Sequence, residues 1–141
     1  MSVEFIQKLP TPAEIKMQFP LPARLAEIKA EKDKEISRIF TGESDKFLVI
    51  IGPCSADNED AVLDYTTRLA KVQEKVADRL LLIPRVYTNK PRTTGLGYKG
   101  MLHQPDPEKQ PSVSEGLHAI RHMHMRVLAE TGFSTADEML Y

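Results

Sequence analysis

The 141-residue sequence has one cysteine, no tryptophan and no excess of charge of either sign. A single cysteine, Cys54, excludes an intramolecular disulfide framework. The 19 basic residues nearly balance the 20 acidic ones, so bulk charge gives no indication of binding to nucleic acid. The sequence also lacks a secretory leader pattern and any apolar run of about 18 residues, so we expect a soluble, cytoplasmic protein with no membrane partner.

An apolar run at 47–51 leads into a polar turn that carries Cys54. The run Phe-Leu-Val-Ile-Ile predicts a strand that is buried on both faces, and Gly52-Pro53 ends it. Cys54 therefore lies at the carboxyl end of a strand, where α/β proteins place binding and catalytic groups. A buried, inert cysteine is the alternative. The polar residues that follow, Asp57 among them, favour a thiol that meets solvent, ligand or metal.

The chain divides into an extension at 1–45 and a domain at 46–141. Four prolines before residue 23 allow only a short helix at about 13–19, whereas apolar residues at helical spacing among many charges predict an amphipathic helix at 23–40. The extension precedes the first core strand, so we interpret it as structural. A role in subunit contact or regulation is the alternative.

A helix that Asn58 or Asp60 can cap, running to about residue 76, and a second strand at 80–87 complete a strand–helix–strand unit. The second strand begins about 33 residues after the first, which is typical of a βαβ crossover between parallel strands. We therefore expect its end to lie beside Cys54, with Arg85 in the site or at its rim. Pro84 is expected to distort or end this strand, because proline has no N–H to donate to a ladder.

A loop rich in basic, hydroxyl and glycine residues follows at 89–100. Ammonium, guanidinium and hydroxyl groups bind phosphorylated ligands, and glycine lets the backbone approach them closely. A solvated basic loop is the alternative. Residues 95–100 also spell the dinucleotide fingerprint Gly-x-Gly-x-x-Gly. We discount that match, because a polar loop precedes it and a proline-broken stretch at 101–111 follows it.

Three motifs together resemble the type I 3-deoxy-D-arabino-heptulosonate-7-phosphate (DAHP) synthases. They are Gly-Pro-Cys-Ser at 52–55, Arg-Val-Tyr at 85–87 and Lys-Pro-Arg-Thr-Thr at 90–94, in the family's order and at close to its spacing. The sister family that makes 3-deoxy-octulosonate 8-phosphate shares the Gly-Pro-Cys start but differs after the lysine. The third motif therefore favours the DAHP enzyme, with the sister enzyme as the alternative.

The resemblance implies an α/β fold: the first strands and helices of a (β/α)₈ TIM barrel behind an N-terminal helical extension. It also implies the condensation of phosphoenolpyruvate with erythrose 4-phosphate to DAHP and phosphate. This is the first step of the shikimate pathway and of aromatic amino acid biosynthesis. The complete enzyme is expected to be a homo-oligomer.

Residue roles follow from the matching motifs. The resemblance implies that Arg85 and Lys90 are catalytic residues that hold phosphoenolpyruvate, and that Arg92 and Thr93 hold the phosphate of the four-carbon sugar. Glu138, at the start of an expected third strand, is implied to face the phosphoenolpyruvate site.

The resemblance further implies that Cys54 ligates a divalent metal ion, Mn²⁺, Fe²⁺, Co²⁺ or Zn²⁺. The remaining ligands are expected beyond residue 141. A barrel takes roughly 250 residues, so this chain holds only two strand–helix units and the start of a third. We expect the isolated chain to be inactive, leaving a non-catalytic assembly or regulatory fragment as another reading.

A helix is predicted from about 112 or 114 to 130, ending at Thr131-Gly132, with a third strand beginning in 133–141. The pattern assigns no role to four histidines: His103, His118, His122 and His124. His118 and His122 are four residues apart, but no third ligand accompanies them. A solvated helix face is therefore favoured over a metal site.

Overall fold

The structure, a computed structural model, describes residues 7–90 and 96–138. Helices and strands alternate along these residues after two helices in the extension, which confirms the α/β class. The elements are α1 (Pro12–Gln18), α2 (Ala23–Phe40), β1 (Phe47–Ile51), α3 (Glu59–Val76), β2 (Leu80–Pro84) and α4 (Val113–Thr131). No helix among the described residues has the length and apolar character needed to span a membrane.

The two strands pair in parallel, with Phe47 opposite Leu80 and Ile51 opposite Pro84. The helix that joins them, α3, begins after Asn58, whose side chain accepts a hydrogen bond from the backbone N–H of Ala61 at 2.9 Å. Pro84 is the last residue of β2, as predicted from its missing N–H. The predicted strand–helix–strand unit is therefore confirmed, with a second strand shorter than expected.

The third strand is represented by a parallel bridge between Arg85 and Ala136. Two backbone hydrogen bonds flank it: Ala136 N–H donates to Pro84 O at 2.9 Å, and Val86 N–H donates to Ala136 O at 2.7 Å. Residues 139–141 lie outside the described residues. The third strand thus begins beside β2, within the predicted range.

The core lies between the strands and helices α3 and α4. Its buried members come from every one of these layers: Ala56, Val62, Leu82, Val86, Met101, Met123, Val127 and Phe133. Helix α4 is capped by Ser112 at its start and ends at Gly132, which adopts the left-handed conformation at φ +71°. Both helix ends agree with the prediction.

The prediction that the first strand is buried on both faces is wrong. Phe47 remains 70% exposed, and Ile50 and Ile51 are also exposed. Within the described residues, β1 pairs only with β2, so one of its edges and much of its surface meet solvent. The sequence correctly predicts a strand but not how much of the strand is covered.

The extension packs against α4. The guanidinium group of Arg121 donates to the backbone oxygen of Phe19 at 3.1 and 3.3 Å, and the Phe19 ring lies 5.4 Å from the His118 ring. A capping box between Thr11 and Glu14 begins α1. The extension is therefore anchored to the domain by its first helix and the turn that follows.

Candidate anion site at the carboxyl ends of the strands

The turn after β1 and the segment after β2 meet at the carboxyl edge of the sheet. The Lys90 ammonium group lies 3.0 Å from Cys54 Sγ, and the Arg85 guanidinium group donates to the backbone oxygen of Pro53 at 3.0 Å. Cys54 is exposed, so the alternative of a buried, inert thiol is wrong. Three residues predicted to belong to one site are thus brought together.

The close approach of these segments depends on Gly52. A Cβ placed on Gly52 would lie 1.8 Å from the backbone oxygen of Arg85, so no side chain fits there. The backbone N–H of Arg85 donates to Ile51 O at 2.9 Å, and that of Ala56 donates to Tyr87 O at 2.9 Å. These bonds continue the pairing beyond the ends of the two strands and hold the Cys54 turn against the Arg85 segment.

Glu138 joins this site from the third strand. Its carboxylate accepts a hydrogen bond from the Arg85 guanidinium group at 2.6 Å. Both side chains are partly exposed, so the pair contributes modest stability and mainly orients the guanidinium group. The structure therefore brings Glu138 to the residue with which it was expected to share a substrate.

Tyr87 is a site residue that was not predicted from the sequence. The Arg85 guanidinium group lies 5.0 Å from the centre of its ring and the Lys90 ammonium group 5.5 Å from it. An aromatic face attracts cations at such distances. Tyr87 is two residues after Arg85 and lies on the same side of the extended segment, while Val86 and Thr88 are buried. This alternation was the available signal.

The described ends of the 89–100 loop close on each other. Lys90 N–H donates to Lys99 O at 2.9 Å, and Leu102 N–H donates to Thr88 O at 3.0 Å. A Cβ on Gly100, whose φ is +95°, would lie 2.1 Å from Thr88 O. Arg92 and Thr93 lie outside the described residues, so their predicted role at the sugar phosphate remains a prediction.

The returning part of this loop also lies near the Cys54 turn. Burial raises the pKa of the Tyr98 hydroxyl, and the negative charge of Asp57 raises it further. After this return the next helix begins only at Val113. A Gly-x-Gly-x-x-Gly dinucleotide site requires a helix that starts at the glycines, so discounting that fingerprint was justified.

A partly buried polar cluster around Asp137 lies beside the site. One Asp137 oxygen accepts from the backbone N–H groups of Thr88 at 3.1 Å and of Glu138 at 2.8 Å, and the other accepts from the Thr88 hydroxyl. Burial raises the pKa of Asp137, but the nearby His124, whose Nε2 lies 3.9 Å away, and hydrogen bonds from Thr88 and Glu138 outweigh burial and hold that pKa below its usual range. No sequence pattern predicted this cluster.

The histidines contact groups other than Cys54. His103 pairs with Asn89, His122 with Glu59 and His124 with Thr135, at 3.0, 2.9 and 2.6 Å. His122 is exposed, whereas His118 and His124 are partly buried, so the expectation of a solvated face is only partly right.

The described donors do not fit a metal ion by themselves. Among residues 7–90 and 96–138, no group of three His, Cys, Asp or Glu side chains is close enough to hold one. The single thiol of Cys54 falls short of the three or so protein ligands that a catalytic metal site normally supplies.

An apolar groove of about 580 Å³ adjoins the Asp137 cluster, with Asp137 and His124 in its lining. Helices α2 and α4 and the segment 133–137 line it, with Ile36, Ile120 and Phe133 among its apolar residues. It holds neither Arg85 nor Lys90, so it is a different surface from the candidate anion site.

The chain is similar to a family of enzymes along most of its length. The sequence model described as the DAHP synthetase I family matches residues 22–140. The Trp-sensitive phospho-2-dehydro-3-deoxyheptonate aldolase of Escherichia coli (strain K12) is 36% identical over 135 residues, which are 96% of this chain and 38% of the relative. The phenylalanine-inhibited enzyme of the same name from Saccharomyces cerevisiae is 35% identical over 132 residues, which are 94% of this chain and 35% of the relative.

A solved structure gives the same result for the fold. The phospho-2-dehydro-3-deoxyheptonate aldolase from Francisella tularensis SCHU S4 matches with a TM-score of 0.85 and 29% sequence identity. The match covers 99% of this chain and 40% of that one. The chain therefore spans between 35% and 40% of the length of these three relatives.

Proposed function

We propose, because this chain belongs to the DAHP synthetase I family, that it forms the amino-terminal part of an enzyme that condenses phosphoenolpyruvate with erythrose 4-phosphate. The products are DAHP and phosphate, in the first step of aromatic amino acid biosynthesis. The observation that carries the proposal is the convergence of Arg85 and Lys90 on Tyr87, beside the Cys54 turn. Two fixed cations at the carboxyl edge of a parallel sheet suit an anionic substrate.

Phosphoenolpyruvate carries a carboxylate and a phosphate, and these two groups match the two cations. A guanidinium group binds either anion through a fork of N–H donors, whereas an ammonium group binds it as a point charge. Glu138 and the Pro53 oxygen hold the Arg85 fork in place. Arg85 and Lys90 would thus orient phosphoenolpyruvate, and Arg92 with Thr93 would bind the phosphate of the sugar, so that the two reacting carbons meet.

The proposed fold is the first part of a (β/α)₈ barrel at 46–141, behind the extension at 1–45. Parallel β1 and β2, and a third segment that starts in parallel beside β2, support it. The exposed face of β1 and the apolar groove beside α4 are surfaces on which further strand–helix units would pack. Such a barrel takes roughly 250 residues, so the remaining units lie outside this chain.

Cys54 is proposed as one ligand of a divalent metal, Mn²⁺, Fe²⁺, Co²⁺ or Zn²⁺. The metal is a family expectation, and its other ligands belong to the missing part of the barrel. Thiolate suits these ions better than it suits Mg²⁺. A cytoplasmic location is part of the same proposal, since a chain with a single cysteine forms no intramolecular disulfide that would need an oxidising compartment.

The test uses the protein made from its full reading frame, meaning residues 1–141 together with any sequence encoded after them. Phosphate release is measured with phosphoenolpyruvate and erythrose 4-phosphate, and again with arabinose 5-phosphate in place of the four-carbon sugar. We expect turnover with erythrose 4-phosphate. A preference for arabinose 5-phosphate would instead assign the sister eight-carbon reaction.

Two pairs of variants test the residue roles. Arg85→Ala and Lys90→Ala each remove a charged hydrogen-bonding group and should lower kcat/KM for phosphoenolpyruvate by about tenfold to a hundredfold. Arg79→Ala and Lys71→Ala remove the same charges from exposed positions and should leave it unchanged. The assignment is refuted if Arg85→Ala has no larger effect than Arg79→Ala, or if Lys90→Ala has no larger effect than Lys71→Ala.

A second proposal assigns the extension to assembly or regulation of a homo-oligomer. Phe40 and Met17 are large apolar residues of the extension that stay exposed, although the extension itself is anchored to α4. Residues 1–40 are deleted from the full-frame protein, and sedimentation and inhibition by aromatic amino acids are measured. Loss of the oligomer or of inhibition is expected, and no change in either would refute this second role.

A further inference from the structure

We infer that Asp137 is a positioning residue that holds Lys90 in place through Thr88. The inference rests on the proposed function for its kinetic consequence, because Lys90 is there assigned to phosphoenolpyruvate. Its structural basis is the set of hydrogen bonds that join the third strand to the base of the 89–100 loop.

The Asp137 carboxylate accepts hydrogen bonds that backbone carbonyl oxygens would accept in a continued parallel ladder. Pairing between β2 and the third strand runs through Ala136 N–H to Pro84 O and Val86 N–H to Ala136 O. The next donors of a continued parallel ladder would be Glu138 N–H and Thr88 N–H. Both donate to the same oxygen of Asp137, at 2.8 and 3.1 Å.

Because the Asp137 carboxylate accepts these two hydrogen bonds, the backbone pairing between β2 and the third strand ends where the site begins. A third strand that continued along the Thr88 segment would keep the backbone of Glu138 in the sheet. With its N–H directed to Asp137, the chain brings the Glu138 carboxylate to within 2.6 Å of the Arg85 guanidinium group. One side chain thus satisfies two backbone donors at the point where Glu138 meets the cations.

Thr88 connects Asp137 to the 89–100 loop through its hydrogen bonds. It is 1% exposed, and all three of its polar groups are used: its N–H and hydroxyl donate to Asp137, and its carbonyl oxygen accepts from Leu102 N–H at 3.0 Å. Lys90 lies two residues further along and is bonded through its own N–H to Lys99 O at 2.9 Å. The departing and returning arms of the loop are therefore both tied to Thr88 or its neighbours.

A carboxylate is suited to this position because it only accepts hydrogen bonds. Three donors converge on it, and His124 Nε2 lies 3.9 Å from the second oxygen. An amide at this position would place an N–H₂ group against one or more of these donors. Alanine would leave the buried N–H of Thr88 without its acceptor.

Amide hydrogen exchange on the full-frame protein tests the structural claim without any substrate. In Asp137→Ala, exchange at Lys90 and Leu102 should rise by about tenfold or more, from the loss of hydrogen bonds to a charged group. Exchange along β1 and α3 should stay unchanged. The control Asp64→Ala removes an exposed carboxylate from α3 and should leave the loop amides unchanged.

Kinetics test the positioning role. Asp137→Ala should raise KM for phosphoenolpyruvate by about tenfold while leaving KM for erythrose 4-phosphate within about twofold. Thr88→Val, which keeps the shape but loses the hydroxyl, should act in the same direction. Thr88→Ser, which keeps the hydroxyl, should restore the loop exchange rates and KM to near the values of the unchanged protein.

The outcomes separate this inference from the proposed function. Suppose that the loop amides exchange faster in Asp137→Ala but that the unchanged protein does not bind phosphoenolpyruvate. This result would support the positioning contact and refute the proposed substrate. Turnover in the unchanged protein with loop exchange unaffected by Asp137→Ala would refute the inference alone. A uniform rise in exchange through β1, α3 and the loop would also overturn it, because Asp137 would then be a general stabilising residue.

Discussion

Replacing Gly52 with alanine should both destabilise the protein and displace the candidate site. The added Cβ would lie 1.8 Å from the Arg85 carbonyl oxygen, so the two backbones must separate by roughly 1.2–1.6 Å to reach a tolerable contact. That movement strains the bond from Arg85 N–H to Ile51 O, now 2.9 Å long. Overpacking and a weakened hydrogen bond together predict a loss of about 2–4 kcal/mol in the free energy of unfolding.

The functional consequence should be larger than the loss of stability suggests. Arg85 is itself the residue that the new Cβ displaces, and a misplacement of about 1 Å can lower a rate about a hundredfold. The control is Gly42→Ala, where φ is +75° and no atom lies within 4 Å of the added Cβ. It should cost about 1–2 kcal/mol from backbone strain and leave catalysis unchanged.

Urea unfolding followed by circular dichroism gives the stability of both variants, and phosphate release gives kcat/KM for phosphoenolpyruvate. The reasoning fails if Gly52→Ala unfolds within about 0.5 kcal/mol of the unchanged protein, which is the range of neutral surface changes. It also fails if both glycine variants lower kcat/KM equally, since the effect would then not arise from the contact with Arg85.

Three further outcomes are expected. Met123→Ala should cost about 2–5 kcal/mol in urea unfolding because its side chain is fully buried, whereas Met17→Ala, at a 73% exposed position, should stay within about 0.5 kcal/mol. Burial raises the pKa of the Glu59 carboxyl group. Hydrogen bonds to this group, one of them from Arg126, outweigh the effect of burial and lower the pKa below its ordinary value of 4.5. The ionised carboxylate therefore stabilises the fold above about pH 4.5, and this stabilisation is lost as the pH falls through the lowered pKa. Glu59→Gln should accordingly be less stable than the unchanged protein near neutral pH. The difference in stability between the two proteins should shrink in acid. Isolated residues 1–141 with Mn²⁺ and both substrates should release no phosphate, and should self-associate in sedimentation through the exposed face of β1; turnover by this piece would contradict the account.

Local patterns predicted most of the elements correctly. The β1 run, the Asn58 cap of α3 and the strand end at Pro84 all depend on neighbouring residues in the sequence. Hydrophobic periodicity, capping and the missing proline N–H each act within a few residues. The sequence was therefore sufficient to place Cys54 and Arg85 at the same edge of the sheet.

Long-range contacts were beyond such patterns. Thr88 and Asp137 are 49 positions apart, and nothing in either segment indicates that one residue accepts the hydrogen bonds of the other. The exposure of β1 likewise depends on which other elements cover it and not on its own composition. Tyr87 is an intermediate case, since alternation with the buried Val86 and Thr88 pointed to the face that it shares with Arg85.

Equilibrium binding of phosphoenolpyruvate without the sugar phosphate tests the central claim most directly, that Arg85 and Lys90 form its site. Titration calorimetry compares the unchanged full-frame protein with Lys90→Ala and with the exposed control Lys71→Ala. The account predicts binding to the unchanged protein and to the control, with affinity about tenfold or more weaker in Lys90→Ala. Equal affinity in all three proteins, or no binding to the unchanged protein, would contradict it.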